Sequence, residues 1–467
     1  MDLLIKNGTI VTATEMYKAD IAVDKEKIVN IGCNFNESDF DEVVDASGKL
    51  VLPGAIDGHT HLALEFGGTI STDDYYAGTR SAACGGTTTV FDFVNQAEGE
   101  KMVDAIKRRE AIACNDVAVD YSFHVAVYDI STEELMDSLE ESVEYGVPSF
   151  KVFMVYDNGV DDGTFFKVLS RAKEIGALVG VHAENKTVNE YLIDKYLKEG
   201  KTDAWWHYMA KNERVEGEAD TRAVNLAIMA DAPLYIAHLA DEQGVKAVTE
   251  ARLKGYPVFA ETCPQYLNFT SEVYKRERGR DFVCSPPMKD QASQDAIWEA
   301  INNGNITTVA TDHCPFLKAE KDWGIVKKDG TPGNFTTIPN GCAGIENMYP
   351  YILSEANKGR ISFSKAVELC ATNPSKLFGL DDQKGAIRVG LDADIVIYDP
   401  EKEFTITNDK MHGDTDHTIW EGIELKGYPE ATYCRGNLVF KDGEFLGKRG
   451  AGKRVKCHKL HFDGPSL

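Results

Sequence analysis

Eight short apolar segments alternate with amphipathic segments through the middle of this 467-residue chain, which limits the folds that it can adopt. The apolar segments are predicted strands, at residues 51–56, 87–93, 120–127, 149–154, 178–182, 233–238, 257–261 and 307–310. Helical patterns such as DGTFFKVLSRAKEIG (162–176) lie between them. Eight strands that alternate with helices predict a (β/α)8 barrel of the TIM type. An open doubly wound sheet is the alternative, but no G-x-G-x-x-G pattern follows the first strand.

The two ends of the chain have a different pattern. Residues 1–50 contain short segments of alternating apolar and polar residues, such as LLIKNGTIV, separated by Gly and Asn-Gly turns. The same alternating pattern occurs again after about residue 385. We therefore predict that both ends assemble one small β-sandwich domain. The predicted limits are 1–50 and 385–467 for the β-sandwich and 51–384 for the barrel.

Composition indicates which partners and which compartment to expect. The 75 acidic and 50 basic side chains give a net charge of −25, which repels phosphate and anionic lipid, so neither nucleic acid nor a membrane is an expected partner. The ten cysteines contain no C-x-x-C pair, which is typical of buried thiols in a reducing compartment. The N-terminus has no signal-peptide or transit-peptide pattern. These features predict a cytoplasmic protein.

Side chains with metal-binding chemistry stand where the predicted strands end. In a barrel these ends meet at one rim, where active sites lie. The side chains are His59 and His61 after strand one, Lys151 in strand four, His182 after strand five, His238 after strand six and Asp312 after strand eight. His59 and His61 are two residues apart on an extended chain and therefore point the same way. Imidazole and carboxylate without thiolate indicate zinc or another first-row divalent metal.

Lys151 lies between Phe150 and Val152, near the predicted apolar barrel interior, where a charge is costly. A salt bridge to a neighbouring carboxylate is one interpretation. The other is that burial favours the neutral amine, which can add CO2 and become a carbamate. Such an anion can bridge two metal ions about 3.5–4 Å apart. The strand position permits both interpretations.

The remaining candidates are interpreted as structural. His124 is predicted to be a hydrogen-bonded core residue, and His207 is not expected to be a ligand. The aromatic segment around WWHY (205–208) is expected to be exposed, where it would suit a contact between subunits. Cys314 is interpreted as a packing residue, and Asp57 either as a strand-end hydrogen-bonding residue or as a support for the ligands. Surface positions are predicted for His412, His417, His458 and His461.

Eight motifs, taken in order along the chain, resemble those of the cyclic amidohydrolases and most of all the dihydropyrimidinase/hydantoinase family. The motifs are GAIDGHTH, FKVFMVY, VHAEN, IAHLA, ETCPQYL, CSPPMKD, TDHCPF and IPNGCAGIE. The resemblance extends over essentially the whole chain, because it includes LLIKNGTIV and GAIRVGLDADIVIYDP outside the barrel. Single motifs are unspecific, but the ordered set is highly specific.

The resemblance implies a centre of two divalent metal ions, usually zinc. His59, His61 and Asp312 would hold one ion, and His182 and His238 the other. Carboxylated Lys151 (N6-carboxylysine, formed with CO2) would bridge the ions together with a hydroxide. Family members are commonly homotetramers.

The resemblance also implies residues that bind the substrate. Tyr156 matches the tyrosine whose hydroxyl stabilises the oxyanion, and Ser285 and Asn340 match positions that hold the cyclic amide through main-chain groups. The side chains that could cover the ring substituent are Leu64, Phe66, Phe153 and Tyr156.

The implied reaction opens the ring of dihydropyrimidines or 5-substituted hydantoins and gives N-carbamoyl amino acids. The metal-bridging hydroxide attacks the ring carbonyl, and Tyr156 stabilises the oxyanion that forms. Asp312 transfers a proton from the water to the leaving nitrogen.

Three alternatives differ from this pattern. A dihydroorotase would carry arginine where this chain has Ala63, and an allantoinase usually follows the metal motif with a Pro-Gly-containing stretch. A non-catalytic scaffold of the same fold would have lost the metal ligands, whereas all six positions are occupied here.

Glu65 stands where the family more often has proline. We interpret Glu65 as a solvated loop carboxylate. A sharper hypothesis is that Glu65 shifts the substrate preference toward unsubstituted or polar rings.

Overall fold

Eight parallel strands pair in the order in which they occur in the chain, in a computed structural model that describes all 467 residues. The strands are Ala55–Thr60, Thr87–Asn95, Asp120–Ala126, Ser149–Phe153, Leu178–His182, Leu234–Ile236, Val258–Thr262 and Thr308–Val309. The His61 N–H donates to the carbonyl of His313 at 2.9 Å, which brings the end of the first strand to the end of the last. The predicted (β/α)8 barrel is therefore confirmed.

Helices surround the barrel and follow its strands. The α-helices are Tyr75–Cys84, Met102–Ala113, Glu133–Glu144, Asp162–Ile175, Lys186–Lys198, Ala204–Ala210, Glu213–Ala230, Glu242–Leu253, Pro264–Asn268, Gln291–Asn302, Lys318–Lys321, Met348–Asn357, Phe363–Val367 and Asn373–Leu377. Short 3₁₀ turns lie at Glu37–Asp39, Ser271–Lys275, Gly279–Phe282, Asp322–Gly324, Phe335–Thr337 and Asn408–Lys410, and a π-turn lies at Glu368–Thr372. None of these helices combines the length and the hydrophobicity that a bilayer crossing requires.

The helix Asp162–Ile175 illustrates why these segments are helical. Asp161 caps its N-terminus by accepting the Thr164 N–H at 2.7 Å. Gly176 ends the helix in the left-handed conformation, with φ 76°. The side chains that this helix buries are Phe165, Val168, Leu169, Ala172 and Ile175. Their spacing of three and four residues places them on one face, toward the strands.

The two ends of the chain form two packed sheets, as predicted. A four-stranded sheet contains Lys27–Gly32, Asp20–Asp24, Leu3–Lys6 and Glu42–Asp45. A seven-stranded sheet contains Glu444–Phe445, Asn437–Lys441, Glu424–Cys434, Ile395–Thr405, Leu50–Pro53, Thr9–Val11 and Met16–Lys18. Their shared core joins side chains from both chain ends, including Leu3, Ile21 and Ile395. A further two-stranded hairpin, Glu65–Phe66 with Thr69–Ile70, lies in the loop after the first barrel strand.

The chain crosses from the β-sandwich into the barrel at Gly54. The predicted single strand over 51–56 is wrong, because Leu50–Pro53 pairs with Ile395–Thr405 in the seven-stranded sheet and only Ala55–Thr60 belongs to the barrel. A Cβ at Gly54 would lie 2.2 Å from Thr88 Oγ1, so the close approach requires glycine. Both halves are fully buried, and burial looks the same in either sheet.

Candidate metal centre

The six side chains that the sequence places at strand ends converge at one rim of the barrel. His59 Nε2 lies 3.3 Å and His61 Nε2 lies 3.1 Å from Asp312 Oδ1, so these three form one compact group. The rings of His182 and His238 are 4.5 Å apart, and the His238 ring is 5.2 Å from that of His59. Two adjoining groups of ligand atoms result.

Lys151 lies beside both groups and has no partner of its own. Its Nζ is buried without a hydrogen bond, and the residue is 3% exposed. Burial lowers the pKa of this ammonium group to about 8, although the carboxylates of Glu261 and Asp312 oppose the shift. A larger share of the amine is therefore neutral near pH 7.5 than for an exposed lysine. Neither a salt bridge nor a hydrogen bond accounts for its position.

The donor set fits divalent metal ions. His61 Nδ1 and His238 Nδ1 are buried without a hydrogen-bond partner, as is Lys151 Nζ. Burial lowers the pKa of His59, His182 and His238 below the ordinary value for histidine, and the Lys151 charge lowers that of His59 and His238 further. Neutral imidazoles with free lone pairs beside a carboxylate are the ligands that zinc and related ions prefer.

Glu261 supports two of these histidines and was missed in the sequence analysis. Its Oε1 accepts from His59 Nδ1 at 2.7 Å and from the backbone N–H of His238 at 2.9 Å. Its Oε2 accepts from the Tyr235 hydroxyl at 2.6 Å. A carboxylate in this position fixes the tautomer and the orientation of a metal-binding imidazole. The only sequence signal was its place at the end of the seventh strand, in ETCPQYL.

Asp57 closes the barrel below the histidines. Its carboxylate accepts from the backbone N–H groups of His59 and Thr311 at 3.2 and 3.1 Å, and from the Thr311 hydroxyl at 2.6 Å. Complete burial raises the pKa of Asp57 to about 7. Asp57 thus joins the ends of the first and last strands, which carry His59, His61 and Asp312.

A second supporting group lies behind His182. The imidazole Nε2 of His182 lies 2.7 Å from Glu184 Oε2, and Lys211 Nζ donates to the same oxygen at 2.9 Å. Lys211 also donates to Ser285 Oγ at 2.6 Å. Ser285 was identified from its motif, but Glu184 and Lys211 were missed. The contacts of Lys211 join residues 27 and 74 positions apart, which no local pattern shows.

A cavity of about 400 Å³ opens above the histidines. All twelve residues that the sequence analysis assigned to the site line it, namely His59, His61, Leu64, Lys151, Phe153, Tyr156, Phe66, His182, His238, Ser285, Asp312 and Asn340. Glu65 and Cys314 also line this cavity. Burial raises the pKa of Tyr156 above that of an ordinary tyrosine, so its phenol is protonated at neutral pH and can donate.

Several residues in and beside this site have a left-handed backbone conformation. Tyr156, His238 and Asp312 have positive φ values of 70°, 38° and 51°. The same holds for Ala63, with φ 47°, in the loop after His61. Non-glycine residues rarely adopt this conformation, and the surrounding structure must hold them in it.

The other histidines only partly follow the predictions. His124 is buried between Ser149 Oγ and the Gly58 carbonyl, at 2.5 and 3.0 Å, as expected of a core residue. His207 is buried and bonded to the Cys284 carbonyl at 2.8 Å, outside the ligand groups. His458 and His461 are exposed, as predicted.

Three predictions of surface exposure are wrong. His412 is partly buried, because its Nδ1 lies 2.7 Å from the buried carboxylate of Glu346, and the His417 side chain is only 10% exposed. In the segment 205–208, Tyr208 is buried and both tryptophans are partly buried against the core. Aromatic content did not reveal that the short helix Ala204–Ala210 packs onto its neighbours.

Comparison with known proteins agrees with this fold. Residues 50–439 match the family model described as "Amidohydrolase family". The chain belongs to the amidohydrolase family, a class that the barrel and its rim of histidines also indicate.

Individual relatives indicate which members of this family the chain resembles. A D-hydantoinase of Geobacillus stearothermophilus is 42% identical over 466 residues, which cover 98% of this chain and 97% of the relative. The crystal structure of a dihydropyrimidinase from Brevibacillus agri NCHU1002 is similar with a TM-score of 0.94 and 41% identity, covering 98% of this chain and 99% of the other. An L-hydantoinase (dihydropyrimidinase) from Arthrobacter aurescens is similar with a TM-score of 0.88 and 27% identity, covering 97% and 99% of the two chains.

Proposed function

We propose that this protein hydrolyses the cyclic amide bond of dihydropyrimidines or 5-substituted hydantoins and releases N-carbamoyl amino acids. The observation that carries the proposal is the single cavity lined by all six candidate metal ligands and by Tyr156, Ser285 and Asn340. The relatives named D-hydantoinase and dihydropyrimidinase, similar over nearly their full length, support the same reaction class.

The residues present would hold two divalent metal ions, for which we propose zinc. His59, His61 and Asp312 would hold one ion, and His182 and His238 the other, in accord with the two adjoining groups of ligand atoms. Such ions would supply Lewis acidity and lower the pKa of water, so that hydroxide forms near neutral pH. The unpartnered lone pairs of His61 and His238 support this assignment.

Lys151 would join the two groups as a carbamate. Its neutral Nζ would attack the carbon of CO2, form an N–C bond and release one proton. The product is an anion with two oxygen ligands, which removes the cost of an unpartnered ammonium group in this buried place. The lowered pKa of Lys151, about 8, supports this assignment, because only the neutral amine reacts.

The chain's own side chains would bind the substrate and move protons. Ser285 and Asn340 would hold the cyclic amide through main-chain groups. Tyr156 would donate its hydroxyl hydrogen to the oxygen that becomes negative when the ring carbonyl is attacked, a contribution of about 3–4 kcal/mol for a well-placed donor. Asp312 would accept the proton of the attacking water and return it to the leaving ring nitrogen.

Apolar side chains would cover the substituent on the ring. Phe66 and Phe153 lie with ring centres 6.1 and 6.2 Å from that of Tyr156, and Leu64 lines the same cavity. These contacts exclude water from one side of the reacting amide. The stereochemical preference would depend on how these apolar side chains contact the two faces of a substituted ring.

A turnover panel tests the proposal. Metal-replete enzyme is assayed with dihydrouracil, dihydrothymine, hydantoin, phenylhydantoin and allantoin, and the control is enzyme treated with a chelator. We expect turnover of at least one dihydropyrimidine or hydantoin, about two metal ions per chain, and loss of turnover after chelation. Fewer than two ions per ten chains, or turnover of allantoin alone, would contradict the proposal.

We further propose a homotetramer in the cytoplasm. All ten cysteines are free and eight are buried, which suits a reducing compartment. Size-exclusion chromatography with light scattering tests the assembly, and a monomeric mass would contradict it.

A further inference from the structure

The buried side chain of Lys321 holds three main-chain carbonyls. Lys321 is 1% exposed and ends the short helix Lys318–Lys321. Its Nζ donates to the carbonyl oxygens of Val283, Pro339 and Gly341 at 2.8, 2.8 and 2.7 Å. Three acceptors require three hydrogens, so this group is the charged ammonium form and has no hydrogen left for a carboxylate.

Two of these carbonyls belong to the chain neighbours of Asn340. Asn340 lines the main cavity of about 400 Å³ and is one of the two residues proposed to hold the cyclic amide through main-chain groups. Pro339 precedes it and Gly341 follows it. Lys321 therefore holds the chain on both sides of Asn340, although Lys321 does not itself line the cavity.

The hydrogen bond to Pro339 fixes the direction of the Asn340 N–H. The Pro339 carbonyl and the Asn340 N–H belong to one planar peptide group, which is trans. In a trans peptide group the C=O and the N–H point in opposite directions. Because the carbonyl points at Lys321, the Asn340 N–H points away from it. The ammonium charge also polarises this peptide group, which makes its N–H a stronger donor.

The carbonyl of Asn340 is oriented in a similar way. It shares a trans peptide group with the Gly341 N–H, which donates to the Val283 carbonyl at 2.9 Å. The Asn340 carbonyl therefore points away from Val283, whose carbonyl oxygen also accepts from Lys321. No protein atom is hydrogen-bonded to the N–H or to the carbonyl of Asn340. Asn340 thus offers one free donor and one free acceptor, both held from behind.

A cyclic amide presents the complementary pair of groups. The ring forces its amide to be cis, so the ring N–H and the ring carbonyl lie on the same edge of the molecule. The Asn340 carbonyl can accept from the ring N–H while the Asn340 N–H donates to the ring carbonyl. Both groups of Asn340 must keep their direction for the two hydrogen bonds to form together. Their contacts with Lys321 and Val283 supply that constraint.

We propose that Lys321 is a positioning residue, which directs the main-chain N–H and carbonyl of Asn340 at the cyclic amide of the substrate. The inference rests on the proposed function, because it concerns substrate binding in that hydrolysis. Contacts of this kind hold the substrate and the transition state alike, so their loss raises KM and leaves kcat nearly unchanged. A lysine that only stabilises the fold changes the unfolding temperature and not KM.

Lys321→Met tests the inference with hydantoin as substrate and metal-replete enzyme. Methionine is also a long unbranched side chain but donates no hydrogen, so the Pro339 and Gly341 carbonyls lose their common partner. We expect KM to rise about 5–50-fold, with kcat within about threefold of wild type and an unchanged metal content. An unchanged KM in folded Lys321→Met, or a loss confined to kcat, overturns the inference.

Lys321→Gln keeps the inference testable if Lys321→Met does not fold. The glutamine amide is one bond shorter and supplies two hydrogens, so it cannot hold all three carbonyls. We expect a smaller rise in KM, of about two- to tenfold, again with kcat nearly unchanged. The KM of wild type in this variant overturns the inference as well.

Arg252→Met is the matched control. Arg252 also donates to main-chain carbonyls, those of Val258 at 2.9 Å and Gly304 at 3.2 Å. Val258 begins the seventh barrel strand, so these bonds lie at the end of the barrel opposite to the candidate ligands. We expect a lower unfolding temperature but a KM within about twofold of wild type. A rise in KM as large as that of Lys321→Met would assign the effect to a general loss of stability and overturn the inference.

The wild type separates failure of the inference from failure of the proposed function. Wild type that hydrolyses no cyclic amide refutes the proposed function, and the inference with it. Active wild type with an unchanged KM in Lys321→Met refutes the inference alone.

Discussion

The Nδ1 atom of His59 lies 2.7 Å from Oε1 of Glu261, across the interior of the barrel. The carboxylate accepts a hydrogen bond from the imidazole Nδ1–H, which leaves a lone pair on Nε2, 3.3 Å from Asp312 Oδ1. The same Glu261 oxygen holds the backbone of His238. One buried carboxylate therefore orients a candidate ligand from each of the two groups.

Glu261→Gln is expected to weaken metal binding about 10–100-fold, because an amide does not hold the imidazole tautomer as a carboxylate does. Chelator competition followed by metal analysis measures the change. Tyr235→Phe is the matched control, since it removes the hydrogen bond to Glu261 Oε2 but leaves the contact with His59. Its loss of affinity should be smaller. Wild-type affinity in Glu261→Gln would show that Glu261 has no such role.

Lys151→Ala is expected to lose turnover to background, because the proposed bridging carbamate can then no longer form. Short carboxylic acids such as acetate or propionate should restore part of the activity by occupying the space of the side chain. The measurement is kcat for hydantoin as a function of added acid. His61→Ala is the control, and the acids should not restore it. Full activity of Lys151→Ala without acid would refute the bridging role.

Asp220→Asn is expected to stabilise the protein at alkaline pH. Burial and the neighbouring Asp241 charge hold the pKa of Asp220 well above its ordinary value of about 3.9. Above that value the unfolded chain releases this proton while the folded protein keeps it. Stability from this group is therefore greatest at low pH and falls as the pH rises toward the folded pKa.

Thermal unfolding between pH 5 and 8 measures the effect of Asp220→Asn. The variant cannot ionise at this position, so its Tm should fall less with pH and exceed that of wild type by about 2–4 °C at pH 8. Asp137→Asn, at an exposed position, is the control and should behave as wild type. An equally steep decline in Asp220→Asn would contradict the prediction.

Glu65→Gln is expected to favour apolar substituents. Glu65 is exposed at the mouth of the cavity and has no ion-pair partner, so its hydration opposes an apolar group beside it. An exposed charge contributes about 1 kcal/mol or less, which corresponds to a twofold to roughly fivefold rise in the ratio of phenylhydantoin to dihydrouracil turnover. The ratio of kcat/KM values is the measurement. The same ratio in both proteins would leave Glu65 a solvated loop residue.

The candidate ligands could be predicted because a barrel places the ends of all its strands at one rim. His59, His182 and His238 are each near the end of an apolar run, so counting strands was enough to bring them together. The cavity residues Ser285 and Asn340 lie in loops without a periodic pattern. They were identified only through the resemblance of their motifs.

The supporting residues could not be predicted in this way. Glu261 and His59 are 202 positions apart, and Lys211 and Ser285 are 74 positions apart. Apolar periodicity shows which face of a strand is buried, but not which side chain it will meet. For the same reason, the sequence did not predict that the chain passes from one sheet to another at Gly54, since both neighbouring strands are fully buried.

The sequence alone determined the alternation of strands and helices, the side chains at the strand ends and the family. Those features are local, because strand and helix periods and short motifs are encoded within a few residues of one another. Tertiary structure alone decided that Lys151 is unpartnered, that Glu261 holds His59, and that Lys211 donates to Ser285. These contacts depend on how distant segments pack, and packing sets the buried neighbours that shift each pKa and direct each hydrogen bond.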